Sequence, residues 1–184
     1  SMSSGRKLDL VQETLRKMIS MMSEYDRLAL IVFNHEAKKV FPLRQISQKN
    51  SGLFSDFINA LNSSGGTNIN NGVSLAMDII KHRKYKNPIT SVFLLSDGQD
   101  QVSHSLQTIQ NTLNSIEESF TVHSFGFGKD HDADLMRDIA KTRGGNFYFV
   151  DDLKTIDECF LDAMGLIFSA VLKDVEIKVT VNNS

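Results

Sequence analysis

At 184 residues the chain is long enough for one α/β domain with a full core and too short for two domains of ordinary size. Its formal net charge of −2, with 20 Lys and Arg dispersed among 22 Asp and Glu, offers no basic face for a phosphate backbone, which sets nucleic acid aside as a partner. The single cysteine, Cys159, cannot close an internal disulfide and favours a reducing, cytoplasmic setting. The longest apolar runs are strand-sized, far short of the ~20 residues of a transmembrane helix, and Ser1 to Gly5 hold no apolar signal core.

Leu8, Val11, Leu15, Met18, Ile19 and Met22 recur at steps of three and four, which predicts an opening helix with one buried stripe; Met21 is expected in its core with Met18 and Met22. Leu28 to Phe33 is a continuous apolar run, the pattern of a strand covered on both faces. Lys38 to Leu43 is more mixed, and Pro42 has no backbone donor, so an edge strand is expected. Two short helices follow, one carrying Leu53, Phe54, Phe57, Ile58 and Leu61, the other Ile69, Val73, Ala76, Met77 and Ile80, around a polar loop from Asn62 to Thr67. Ile89 to Leu95 reads as a buried strand, Leu106 to Ile116 as a helix, and Phe120 to Phe125 as a strand. Leu135 and Ile139 mark another helix, Asn146 to Val150 a strand, and Ile156 to Ile167 the last long helix.

Strands alternating with helices in this way imply a doubly wound, three-layer α/β fold, a mostly parallel sheet with helices on both faces. Only the tail departs from it. Val175, Ile177, Val179 and Val181 alternate with Glu176, Lys178 and Thr180, so residues 173–184 are expected to form a strand with one wet face, leading to or from a neighbouring domain.

Ligands of open α/β sheets bind beyond the carboxyl ends of the strands, and two loops there carry chemistry. Val92 to Leu95 runs directly into Ser96-Asp97-Gly98, leaving a carboxylate at the rim of the sheet. Ser63 to Asn70 is a hydroxyl- and amide-rich loop that turns into a helix. Hydroxyl and carboxylate oxygens are the hard donors that Mg²⁺ selects, although Thr67 or Asn68 alone is equally accounted for as a helix cap and Asp97 as a turn residue. The five histidines lack a common metal spacing. Gly126-Phe127-Gly128-Lys129 lacks the third glycine of a dinucleotide fingerprint and reads as a strand-to-helix loop.

Three segments in this order, Asp26 to Phe33, Gly65-Gly66-Thr67-Asn68-Ile69 and Leu94-Leu95-Ser96-Asp97-Gly98, resemble the von Willebrand factor type A family, with similarity from Ser1 to about residue 172. The resemblance implies a metal-ion-dependent adhesion site, in which a D-x-S-x-S loop after the first strand, a threonine and an aspartate hold a divalent cation. By matching motifs, Thr67 is the threonine and Asp97 the aspartate. Ser1 matches the last serine of the loop, because Ser1 to Leu8 resembles the S-M-x-G-x-K-L continuation; the alternative is that Ser1 and Met2 are a cloning remnant. The first strand and most of its loop are absent from the sequence. That strand is central in the family, so its absence is expected to leave two strand edges open, with the alternating tail a poor substitute.

The implied function is binding of a protein ligand presenting Asp or Glu through Mg²⁺ (or Mn²⁺), with Asn68, Gln99, Asp100, Lys129 and His131 on the surrounding loops as a polar rim. An enzyme is not expected. A metal-assisted hydrolase is the first alternative, disfavoured because no nucleophile is paired with a base and no G-x-x-x-x-G-K-[ST] loop is present. A structural interaction domain with a degenerate metal site is the second. Few cysteines, many methionines and the alternating tail are more similar to the intracellular members attached to ubiquitin-ligase modules than to the collagen-binding ones.

Overall fold

A computed structural model of the chain describes residues 5–62, 65–97, 105–128, 132–150 and 153–169. The elements are α1 (Gly5–Met21), β1 (Arg27–Phe33), β2 (Ala37–Gln45), α2 (Gln48–Asn59), α3 (Ile69–His82), β3 (Ser91–Ser96), α4 (Ser105–Asn114), β4 (Thr121–Phe127), α5 (Ala133–Thr142), β5 (Phe147–Val150) and α6 (Leu153–Phe168). The expected tail strand, residues 173–184, lies outside the described residues. No helix among the described residues is long and apolar enough to cross a membrane.

Helices flank the parallel sheet on both faces, and side-chain alternation along the strands explains why. Val92 and Leu94 of β3 pack with α3, α4 and α5 around Ile69, Ile109, Leu113 and Ile139. Phe93 and Leu95, pointing the other way, pack with α1 and α6 around Leu15, Phe160 and Met164. A strand buried on both faces requires this double apolar set, and each fully buried Leu, Ile or Phe contributes about 1.5–3 kcal/mol. On α1 the buried stripe is Leu10, Val11, Leu15 and Met18; Thr14 shares it because its hydroxyl donates to the Leu10 carbonyl at 2.8 Å. Met21 departs from the expectation of a core residue: it ends the helix off the stripe and is 38% exposed.

The strands form two sheets. β3, β4 and β5 are parallel in that order, and β1 and β2 are an antiparallel pair. β2 is an edge, as Pro42 requires. β1 differs from the expectation of a covered strand, since every residue in it is only partly buried. The reason is a cavity of about 630 Å³ bounded by β1 and β3, at the place where a central strand would join the two sheets. Gly126 and Phe127 also differ from expectation; they continue β4 and pair with β5, so the turn begins only at Gly128, with φ 71°.

The turn from α5 into β5 is set by two glycines. Gly144, at φ 65°, donates its N–H to the Lys141 carbonyl at 3.2 Å, and Gly145 donates to the Ala140 carbonyl at 3.1 Å. This is the Schellman arrangement, which satisfies carbonyls that a helix end leaves open. Arg143 then ties the turn to the α4–β4 connection, donating to the Leu113 and Ile116 carbonyls and lying 4.4 Å over the Phe120 ring.

His123, in β4, is 3% exposed, and its Nδ1 accepts the Asn146 N–H at 3.2 Å. Burial lowers its pKa, against the opposing field of Asp162. The unfolded chain therefore binds a proton that the folded chain refuses, so this contribution to stability is complete above the unfolded value of about 6.5 and declines as pH falls below it. Urea denaturation at pH 7.5 and pH 5.5 is expected to give a lower midpoint at pH 5.5, with the difference reduced in His123→Leu. An equal pH dependence in that variant would remove His123 as its source.

Candidate metal centre at the carboxyl edge of the sheet

β1 and β3 run in the same direction. At one end, Arg27 donates to the Tyr85 carbonyl and Asn87 to the Tyr25 carbonyl, joining the start of β1 to the approach to β3. At the other, Asn34, just past β1, and Asp97, just past β3, border the same cavity as Gly66 and Thr67. The loop of residues 65–68 thus meets the carboxyl end of β1 and borders the same cavity as the residue that follows β3.

That loop is held by the β1–β2 turn. Gly66 N–H donates to His35 Nε2 at 3.1 Å, and Asn68 N–H donates to the Asn34 carbonyl at 2.9 Å. Asn71 Nδ2 donates to the His35 carbonyl at 2.7 Å, fixing the first turn of α3 to the same hairpin. Gly65 takes φ 80°, a left-handed conformation that disfavours a side chain, beside Asn34. Asn68 caps α3, its side-chain oxygen accepting the Asn71 N–H at 3.1 Å. Between these anchors Thr67 is turned inward and 6% exposed.

Asp97 reaches the site by another route. β3 is apolar and anchored on both faces, so the residue following it is delivered to the rim already desolvated: Ser96 is 4% and Asp97 2% exposed. A carboxylate this buried is costly unless an ion or hydrogen bonds compensate it. Asp97 offers a carboxylate and Thr67 and Ser96 offer hydroxyls, oxygen donors of the kind that suit a hard cation that retains water. The residues present therefore fit a Mg²⁺-type ion.

Of the residues singled out from sequence, Thr67 and Asp97 are brought to one cavity, and Asn68 adjoins them with its oxygen engaged in the cap. Ser1, Gln99, Asp100, Lys129 and His131 lie outside the described residues. Asn34, His35 and Ser96 were missed. For Ser96 the available signal was a hydroxyl interrupting an apolar strand beside an acid; for Asn34 and His35 there was none, because their partners are distant in sequence. Since His35 supports the backbone beside Thr67, His35→Ala is expected to weaken Mg²⁺ binding about 10-fold, the lower end for residues that orient a ligand. Calorimetric titration checks this, and an unchanged affinity would reduce the hairpin contact to a local one.

The family model for the von Willebrand factor type A domain matches residues 1–161. The chain belongs to this family. Its curated relatives include the probable E3 ubiquitin-protein ligase WAVH2 of Arabidopsis thaliana, 32% identical over 132 residues, covering 69% of this chain and 18% of that protein. Human inter-alpha-trypsin inhibitor heavy chain H4 is 29% identical over 150 residues, covering 77% of this chain and 16% of the relative. The von Willebrand factor type A chain thus spans less than a fifth of the length of either. Among solved structures, a von Willebrand factor type A protein from Catenulispora acidiphila superposes with a TM-score of 0.76 at 20% identity, over 86% of this chain and 37% of that one. Proximal thread matrix protein 1 from the mussel byssus, described with a zinc-occupied MIDAS motif, gives a TM-score of 0.74 at 18% identity, over 90% and 42% of the two chains. These likenesses establish the α/β fold.

Proposed function

We propose that this von Willebrand factor type A domain is a protein-interaction module in which Thr67 and Asp97 hold Mg²⁺ (or Mn²⁺) and the ion binds an Asp or Glu side chain of a protein partner. The observation that carries this reading is the burial of a threonine and an aspartate from separate loops that border one cavity. The zinc-occupied motif of the mussel protein supports the site, with a different metal. When bound, a hard divalent cation supplies an exchangeable coordination position for a carboxylate oxygen.

The chain's own groups set the selectivity. Asp97 provides the charge, and Thr67, held by the Asn34–His35 hairpin, provides a neutral oxygen. Together they would leave such an ion partly uncompensated, so that a partner carboxylate could complete its coordination. Ser1 belongs to the proposed ligand set, and Asn68, Gln99, Asp100, Lys129 and His131 to the polar rim. We read the protein as intracellular, with this domain accompanying ubiquitin-ligase modules, and the ligase-named relatives support the second part of that reading.

The test is calorimetric titration of Mg²⁺ and Mn²⁺ into the purified chain and into Thr67→Ala. We expect saturable binding that Thr67→Ala weakens at least tenfold, a difference of about 1.4 kcal/mol. Equal affinity would refute the assignment. With Mg²⁺ present, no turnover of nucleotides, phosphomonoesters or peptides is expected; turnover lost in Asp97→Ala would replace the binding module with a hydrolase.

A further inference from the structure

At the amino end of β1, opposite Thr67 and Asp97, two tyrosines stand in solvent on a fixed frame. Tyr25 is 76% and Tyr85 64% exposed, yet the backbone of each is tied down. Arg27 Nη1 donates to the Tyr85 carbonyl at 2.6 Å, and Asn87 Nδ2 donates to the Tyr25 carbonyl at 3.4 Å. Two cations converge on the Tyr85 ring, the Arg27 guanidinium 6.0 Å and the Lys84 ammonium 5.2 Å from its centroid. Neither has an acidic partner among the described residues. The acids nearby are turned elsewhere: Glu118 bridges Arg83 and Lys86 at 2.7 and 2.6 Å, Asp26 accepts the N–H and the hydroxyl of Ser23, and Glu24 borders the groove between α1 and α2. Like charges gathered on one ring repel each other and favour an incoming anion.

We infer that Tyr25, Arg27, Lys84 and Tyr85 form a docking surface for an acidic segment of a protein partner, separate from the metal site. The rings supply rigid contact area at little cost in side-chain entropy, and the two cations take up carboxylates. Tyrosine and arginine are also the residue types that anchor protein interfaces. A phosphate backbone calls for a longer row of cations than this pair. β1 holds seven residues, so at about 3.3 Å per residue the surface lies roughly 20 Å from the Thr67 end of that strand. Docking here needs no metal ion.

The test is fluorescence anisotropy of a fluorescein-labelled Glu-Ser-Glu-Tyr-Glu-Ser-Glu peptide titrated with the 184-residue chain at low salt in EDTA. Saturable binding is expected. Tyr85→Ala and Lys84→Glu should each weaken it by about tenfold or more, the loss expected on removing an interface anchor. Both side chains are exposed, so the thermal melts of these variants should match the parent. Lys141→Glu, a charge reversal at an exposed lysine of α5, should leave the affinity unchanged. No binding in EDTA, or an equal loss in Lys141→Glu, would overturn the inference. So would binding that appears only with Mg²⁺ and disappears in Thr67→Ala, which would place the peptide on the metal site. Single-stranded DNA of equal charge binding as tightly as the peptide would overturn it too, because the surface would then take any polyanion.

Discussion

Asp97→Asn is expected to abolish the thermal stabilisation that Mg²⁺ gives the parent. The substitution keeps the shape of a side chain that is 2% exposed and removes only its charge. In the proposed site that carboxylate would be the anionic donor to the ion. At a Mg²⁺ concentration about 100 times Kd, binding stabilises the parent by about 2.7 kcal/mol, a rise in Tm of roughly 5–10 °C for a domain of this size. Thermal melts of both proteins, with and without Mg²⁺, check this. A variant destabilised without metal but retaining the Mg²⁺-induced rise would make Asp97 a structural residue.

Gly145→Ala is expected to be the most damaging small substitution in the fold. A Cβ at residue 145 would stand 2.0 Å from the Val122 carbonyl oxygen and 2.6 Å from its carbon, both backbone atoms of β4. Nothing there can rotate away. Either β4 shifts or the helix-ending turn opens, and overpacking of this kind costs about 3 kcal/mol or more, lowering Tm by roughly 6–12 °C. Gly144→Ala separates crowding from backbone conformation: residue 144 has φ 65° but open space around it, so about 1–2 kcal/mol is expected. Equal losses in the two variants would show that conformation, not the contact with β4, dominates.

These two positions also mark how far the sequence was legible. Asp97 could be read because the information is local: an apolar strand that ends in Ser-Asp-Gly delivers its acid to the rim wherever that strand lies. The same locality made the stripes of α1, α3 and α6 readable, since a buried helix face needs apolar residues every three or four positions. Gly145 could not be singled out, for its side chain is excluded by a strand more than twenty residues earlier. His35 carries no local signal for the same reason, although its ring accepts the N–H beside Thr67.

The sequence by itself determined the alternation of elements, the membership of Thr67 and Asp97 in loops beyond the strands, and the expectation of a gap at the centre of the sheet. Apolar periodicity and the chemistry of short segments suffice for the first two, and the third is what the resemblance to the family implies. Tertiary structure alone decided that Thr67 and Asp97 share one cavity, that a hairpin holds the threonine loop, and that β1 stays half-buried along its whole length. Each of those depends on which distant segments come to lie side by side, and apposition is settled by packing of both helical layers against the strands rather than by any pattern within a single element.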